Sequence, residues 1–148
     1  MSIKIERAMV DTVRAIAERA GQAILEVYGT DFDVSRKSDA SPVTEADQRA
    51  EKLILEAIRR EIGEEYPIVA EEAVDAGDIP EVADRPFWLV DPLDGTKQFV
   101  KRQGEFTVNI ALIEDGRPIL GVVHAPALSA TYWGSPLGAF AATNGQGA

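Results

Sequence analysis

The residues with the clearest chemical potential are Asp91-Pro92-Leu93-Asp94-Gly95-Thr96. Pro92 presets a turn-like φ and Gly95 allows a sharp reversal. Such a turn brings the carboxylates of Asp91 and Asp94 and the carbonyl of Leu93 to one side. Three oxygen donors within four residues suit a hard cation such as Mg²⁺, which takes carboxylate, carbonyl and water ligands. A bare D-x-x-D-G also reads as a strand-ending turn with solvated acids, and its surroundings have to decide. A second acidic pair, Glu71-Glu72, follows another apolar run, and Asp47 opens a helical pattern. Packed together without a cation, Glu71, Asp91 and Asp94 would repel one another and force one pKa upward. If Thr96-Lys97-Gln98-Phe99 starts a short helix, its free N–H groups favour an anion, so a phosphate would satisfy both cation and helix end.

Other chemistry is excluded by what the chain lacks. It has no Cys, which removes disulfides, thiolate nucleophiles and thiolate metal sites. Its single His, His124, rules out a two-His zinc site and reads as a structural residue near a strand end. There is no nucleophile elbow, Walker A loop or dinucleotide fingerprint. With 25 acidic against 15 basic residues, the net charge of −10 disfavours binding to nucleic acid or anionic membrane through a basic field. The N-terminal segment mixes charges of both signs, unlike a signal peptide or membrane span, so a cytoplasmic location without integral membrane association is expected.

The elements that must position these residues are legible in the apolar periodicity. Ile5, Met9, Val13, Ile16, Ala17, Ala20, Ile24, Val27 and Tyr28 recur at helical spacing, with Gly29 as the stop. A second helix is predicted from about Glu45 to Ile62, with Thr44 as N-cap and Asp47 at the third helical position. Strands follow at Pro67–Ala70, Phe87–Val90, Phe106–Ile113 and Ile119–His124, the last two joined by an Asp115-Gly116 hairpin signal. Shorter strands are read at Thr131–Trp133 and Ala139–Ala141, and the Gly-rich end from Thr143 shows no closing element. At 148 residues, 45% hydrophobic and 27% charged, this is one globular unit. Helices first and strands after predict an α+β fold, long N-terminal helices packed on a mainly antiparallel sheet.

The blocks Lys37…Asp39…Ser41-Pro42-Val43-Thr44…Asp47, Glu71-Glu72 and Trp88–Thr96 resemble, in order, the inositol monophosphatase superfamily of Mg²⁺-dependent, lithium-sensitive phosphatases. Asp94–Phe99, Gly104–Ile113 and Gly121-Val122-Val123 look most like its 3′(2′),5′-bisphosphate nucleotidase branch, which takes a phosphate from adenosine 3′,5′-bisphosphate, a by-product of sulfur metabolism. Ala70 and Gln98 depart from residues common in that branch, so an inositol- or histidinol-phosphate phosphatase is the alternative. The resemblance implies two or three Mg²⁺ per site, held by Glu71, Asp91, Asp94 and the Leu93 carbonyl. It implies that Glu71 and Thr96, the latter backed by Asp47, activate a water for in-line attack on phosphorus, while Gly95, Thr96 and Lys37 bind the phosphate. Asp47 can equally cap its helix, and Lys37 and Asp39 can simply order their loop. Glu72 is expected to support the ligands, and Lys101 and Arg102 to be solvated. The resemblance further implies a C-terminal α/β half beyond residue 148 with a Trp-Asp-x-Ala-Ala-Gly block, a homodimer of the full-length protein, and a location in the cytoplasm or peripherally at the membrane's inner face. A cation-binding fragment without turnover is the reading from a different class.

Overall fold

The computed structural model describes residues 3–30, 34–36, 42–71, 74, 77, 85–143 and 146–147. Helix α1 spans Arg7–Tyr28 and buries Val10, Val13, Ile16, Ala17, Ala20 and Ile24 along one face. It starts two residues later than the periodicity predicts. Ile5 is buried just ahead of it, so the apolar pattern outruns the helix. Gly29 caps the C-terminus. Helix α2, Glu45–Glu61, is capped by Thr44, whose hydroxyl accepts from the Ala46 N–H and, in a complete capping box, from the Asp47 N–H, while the Asp47 carboxylate takes the Thr44 N–H. Ile62 is its C-cap, and the following Gly63 adopts a positive φ of 137° with its N–H returned to the Ile58 carbonyl.

Two short strands, β1 (Val34–Arg36) and β2 (Pro42–Thr44), pair antiparallel ahead of α2, in a stretch where the sequence predicts no strand. The remaining strands, β3 (Ile68–Ala70), β4 (Phe87–Asp94), β5 (Thr107–Glu114), β6 (Arg117–Ala125), β7 (Ala130–Ser135), β8 (Gly138–Thr143) and β9 (Gln146–Gly147), form one seven-stranded sheet in sequence order. β3 and β4 are parallel, and every other pair is antiparallel. The β5–β6 reversal is made by Asp115 and Gly116, both at positive φ, as a type I′ turn needs. β9 corrects the reading of an end without a closing element, because Gln146 and Gly147 pair with Thr143 and Ala142.

Trp88, Val90, Val108, Ile110, Leu112, Leu120 and Val122 alternate along their strands and are buried. α1 lies against β5 and β6, and α2 against β4. The segment order therefore yields the α+β architecture it predicts, with both long helices on one face. Tyr28, Phe99 and Phe106 meet at ring distances of 5.1–5.2 Å, which ties the end of α1 to the chain just after β4. Among the described residues, no helix is long and apolar enough to cross a membrane.

Candidate active site at the end of the fourth strand

β4 is longer than its apolar run. Pairing holds as far as Asp91 opposite Asn109, slips by one residue, and resumes at Asp94 opposite Thr107. Pro92 cannot donate to the ladder, so the strand absorbs it as a bulge instead of ending. Gly95 follows at a φ of 92°, in the left-handed region open to glycine, and a Cβ there would stand 3.1 Å from the Glu105 carbonyl oxygen. Helix α3, Thr96–Val100, starts immediately after. The predicted sharp reversal is thus a bulge followed by a left-handed glycine.

The parallel pairing of β3 with β4 sets Ala70 opposite Val90, so Glu71 and Asp91 emerge side by side. Burial raises the Asp91 pKa from 3.8 to about 8, helped by a hydrogen bond shared with Glu71 and by the negative charge of Glu71 and Asp94, while the Leu93 backbone N–H pulls the other way. Two carboxyls can share a hydrogen bond only if one holds a proton. Asp91 Oδ1 is buried and has no hydrogen-bond partner among the described residues. Asp94 is exposed. Among the described residues, no three acidic or His side chains are arranged to enclose an ion. The donors nonetheless fit a divalent cation: all are hard oxygens, one is buried and orphaned, and a positive charge would replace the shared proton.

Thr96 is fastened from the other side. Its Oγ1 is 2.9 Å from Asp47 Oδ1 and 3.2 Å from the Leu93 carbonyl oxygen. One hydroxyl proton serves one strong bond, and the shorter, charged acceptor is favoured. Asp47 Oδ2 meanwhile accepts from the Thr44 N–H and hydroxyl, both at 2.8 Å. Asp47, fully buried, therefore both caps α2 and holds Thr96. The two sequence alternatives for this residue are compatible.

The structure brings Glu71, Asp91, Leu93, Asp94, Gly95, Thr96 and Asp47 to one end of the sheet. Lys37, Asp39 and Glu72 lie outside the described residues. His124 is structural, as expected: it is buried, its Nδ1 is 2.8 Å from Thr131 Oγ1, and that hydroxyl donates to Glu18 at 3.0 Å. Arg102 departs from the expectation of mere solvation, since its guanidinium donates to the Tyr28 carbonyl and, at 2.6 Å, to that of Thr30. Sequence reasoning also missed Asn109, which stands opposite Asp91 with Nδ2 3.4 Å from Asp94 Oδ2. Only the β4–β5 register reveals it.

Residues 6–146 match the inositol monophosphatase family. The 3′(2′),5′-bisphosphate nucleotidase CysQ of Salmonella typhimurium is 49% identical over 127 residues, covering 84% of this chain and 51% of that protein. The Escherichia coli CysQ is also 49% identical, over 126 residues, covering 84% of this chain and 50% of its own length. Among solved structures, CysQ from Bacteroides thetaiotaomicron superposes with a TM-score of 0.73 at 37% identity, over 93% of this chain and 50% of that one. The IMPase of Thermotoga maritima gives 0.78 at 33% identity, over 94% and 52%. The chain spans about half the length of the curated relatives it matches.

Proposed function

This chain belongs to the inositol monophosphatase family, and from that membership we propose that it is the N-terminal, metal-binding portion of a Mg²⁺-dependent phosphomonoesterase of the 3′(2′),5′-bisphosphate nucleotidase type. Its substrate is adenosine 3′,5′-bisphosphate, with AMP and phosphate as products, and a C-terminal α/β half completes the site. The observation that carries the reading is the raised Asp91 carboxyl, bonded to Glu71 and facing Asp94, beside a Thr96 hydroxyl held by buried Asp47. Relatives named as bisphosphate nucleotidases at 49% identity favour this substrate over inositol phosphates.

Glu71, Asp91, Asp94 and the Leu93 carbonyl would hold Mg²⁺, two or three per site. Bound there, the cation supplies Lewis acidity that acidifies water and offsets charge on the phosphoryl oxygens. The chain's residues do the rest. Asp47 takes the Thr96 proton in a hydrogen bond, which turns the Thr96 lone pairs outward to accept from a water. Glu71 receives that water's proton as its oxygen attacks phosphorus, and the P–O ester bond breaks on the opposite side. The leaving alkoxide takes a proton from solvent. The Gly95 and Thr96 backbone N–H groups and Lys37 hold the phosphate.

The test is phosphate release from adenosine 3′,5′-bisphosphate and inositol 1-phosphate over a range of Mg²⁺, with and without lithium. Release from the bisphosphate that needs Mg²⁺ and falls with lithium is expected. Preference for inositol 1-phosphate would overturn the substrate. No release at any Mg²⁺ concentration would leave these 148 residues as a cation-binding portion without turnover.

A further inference from the structure

We propose that Asn109 is a positioning residue for the carboxylates of Asp91 and Asp94, an inference that rests on the cation-binding reading above. Asn109 pairs with Asp91, and the β4 bulge falls between that pair and Asp94–Thr107. The extra residue on β4 brings Asp94 back within reach of the side chain that opposes Asp91. Asn109 Nδ2 is 3.4 Å from Asp94 Oδ2, a long contact, while Asn109 Oδ1 is buried with no partner among the described residues. Among the same residues Asp91 Oδ1 is buried and without a partner as well. Two such acceptors on directly paired residues are costly, and in a native protein they call for a shared donor or ion.

The residue type fits this work. A Lys or Arg at 109 would compete with a cation for the same carboxylates, and an Asp would add to their repulsion. An apolar residue would leave the Asp94 carboxylate free to rotate. An amide donates without carrying charge, so its Nδ2 fixes Asp94 while its Oδ1 accepts from water that a cation such as Mg²⁺ retains. Groups that orient metal ligands in this way commonly change metal affinity by about 10–100-fold when removed.

Mn²⁺ serves as the probe, with free ion counted by electron paramagnetic resonance during titration of the full chain. Asn109→Ala is expected to weaken Mn²⁺ binding by about 10–100-fold, and Asp91→Asn to abolish it. In the unmodified chain, the Asn109 side-chain amide resonances should shift as Mg²⁺ saturates. This readout does not depend on any variant folding. If Asp91→Asn binds Mn²⁺ like the unmodified chain, the cation site and this inference fall together. If Asp91→Asn loses binding while Asn109→Ala keeps it, or the Asn109 amide stays unmoved through saturation, the role of Asn109 alone is overturned.

Discussion

Thr96 and Asp47 are 49 positions apart in sequence, yet they are 2.9 Å apart in the folded chain. The sequence marks Asp47 as a helix-capping acid and Thr96 as the residue after a turn glycine, but no local rule joins them. Their meeting needs α2 packed on β4, a tertiary fact. Asp91 and Glu71 are more legible, since each follows an apolar strand. Asn109 is legible only once the register is known. The Asp47–Thr96 bond carries a prediction: Thr96→Val, close to isosteric, removes a hydrogen bond to a charged group worth about 1.5–3 kcal/mol. A lower thermal midpoint in calorimetry is expected. Phosphate release should fall by about 10²-fold or more, in line with loss of a proton-transfer contact. Thr96→Ser should restore both. A Val variant with full turnover would remove Thr96 from the chemistry.

The elements follow the sequence where periodicity is strong and diverge where backbone chemistry intervenes. Both long helices come from the 3.6-residue spacing, and Asp115-Gly116 announces its hairpin. β4 overruns its predicted end because a bulge accommodates Pro92, and β1–β2 escapes notice because three-residue strands carry little periodicity. The α1–β6 contact shows how packing overrides propensity. Gly21, in the middle of α1, should lower helix stability by about 0.8–1.0 kcal/mol relative to Ala. A Cβ there, however, would lie 2.5 Å from His124 Cδ2 and 3.1 Å from Pro126 Cβ. His124 cannot easily yield, because Thr131 Oγ1 holds its Nδ1 and is itself held by donating to Glu18. Overpacking costs about 1–3 kcal/mol, and a 2.5 Å approach is closer than real Cβ contacts come, so the clash offsets or exceeds the propensity gain. Gly21→Ala is expected to destabilise by up to about 2 kcal/mol in urea unfolding. A stabilised variant would mean that the His124 ring moves aside.

For the whole molecule, among the described residues helices cover one face of the sheet only. The other carries exposed Leu89, Val123 and Tyr132 among small residues, and Asp91 and Asn109 lie in the same cross-strand row as Val123 and Tyr132. The carboxylate cluster therefore joins the uncovered face, on a chain with a net charge of −10. This ties stability to pH and to divalent cations in a defined sense. The Asp91 carboxyl has its pKa raised from 3.8 to about 8, so the folded chain keeps a proton that the unfolded chain releases. Its contribution to stability is full below pH 3.8 and is lost as pH rises toward about 8. Without divalent ions, the thermal midpoint should therefore fall from pH 5 to pH 8 by more in the unmodified chain than in Asp91→Asn, which has no proton to lose. At pH 8, close to the raised pKa, about half of the folded chains have already lost that proton, so it competes far less with a cation than at pH 5. Mg²⁺ at about 100 times its dissociation constant then adds about 2.7 kcal/mol by mass action. For a chain of this size that is a rise of about 5–10 °C in midpoint, and Asp91→Asn should not show it. Equal Mg²⁺ shifts in the two chains would place the cation elsewhere on the acidic surface, away from β4.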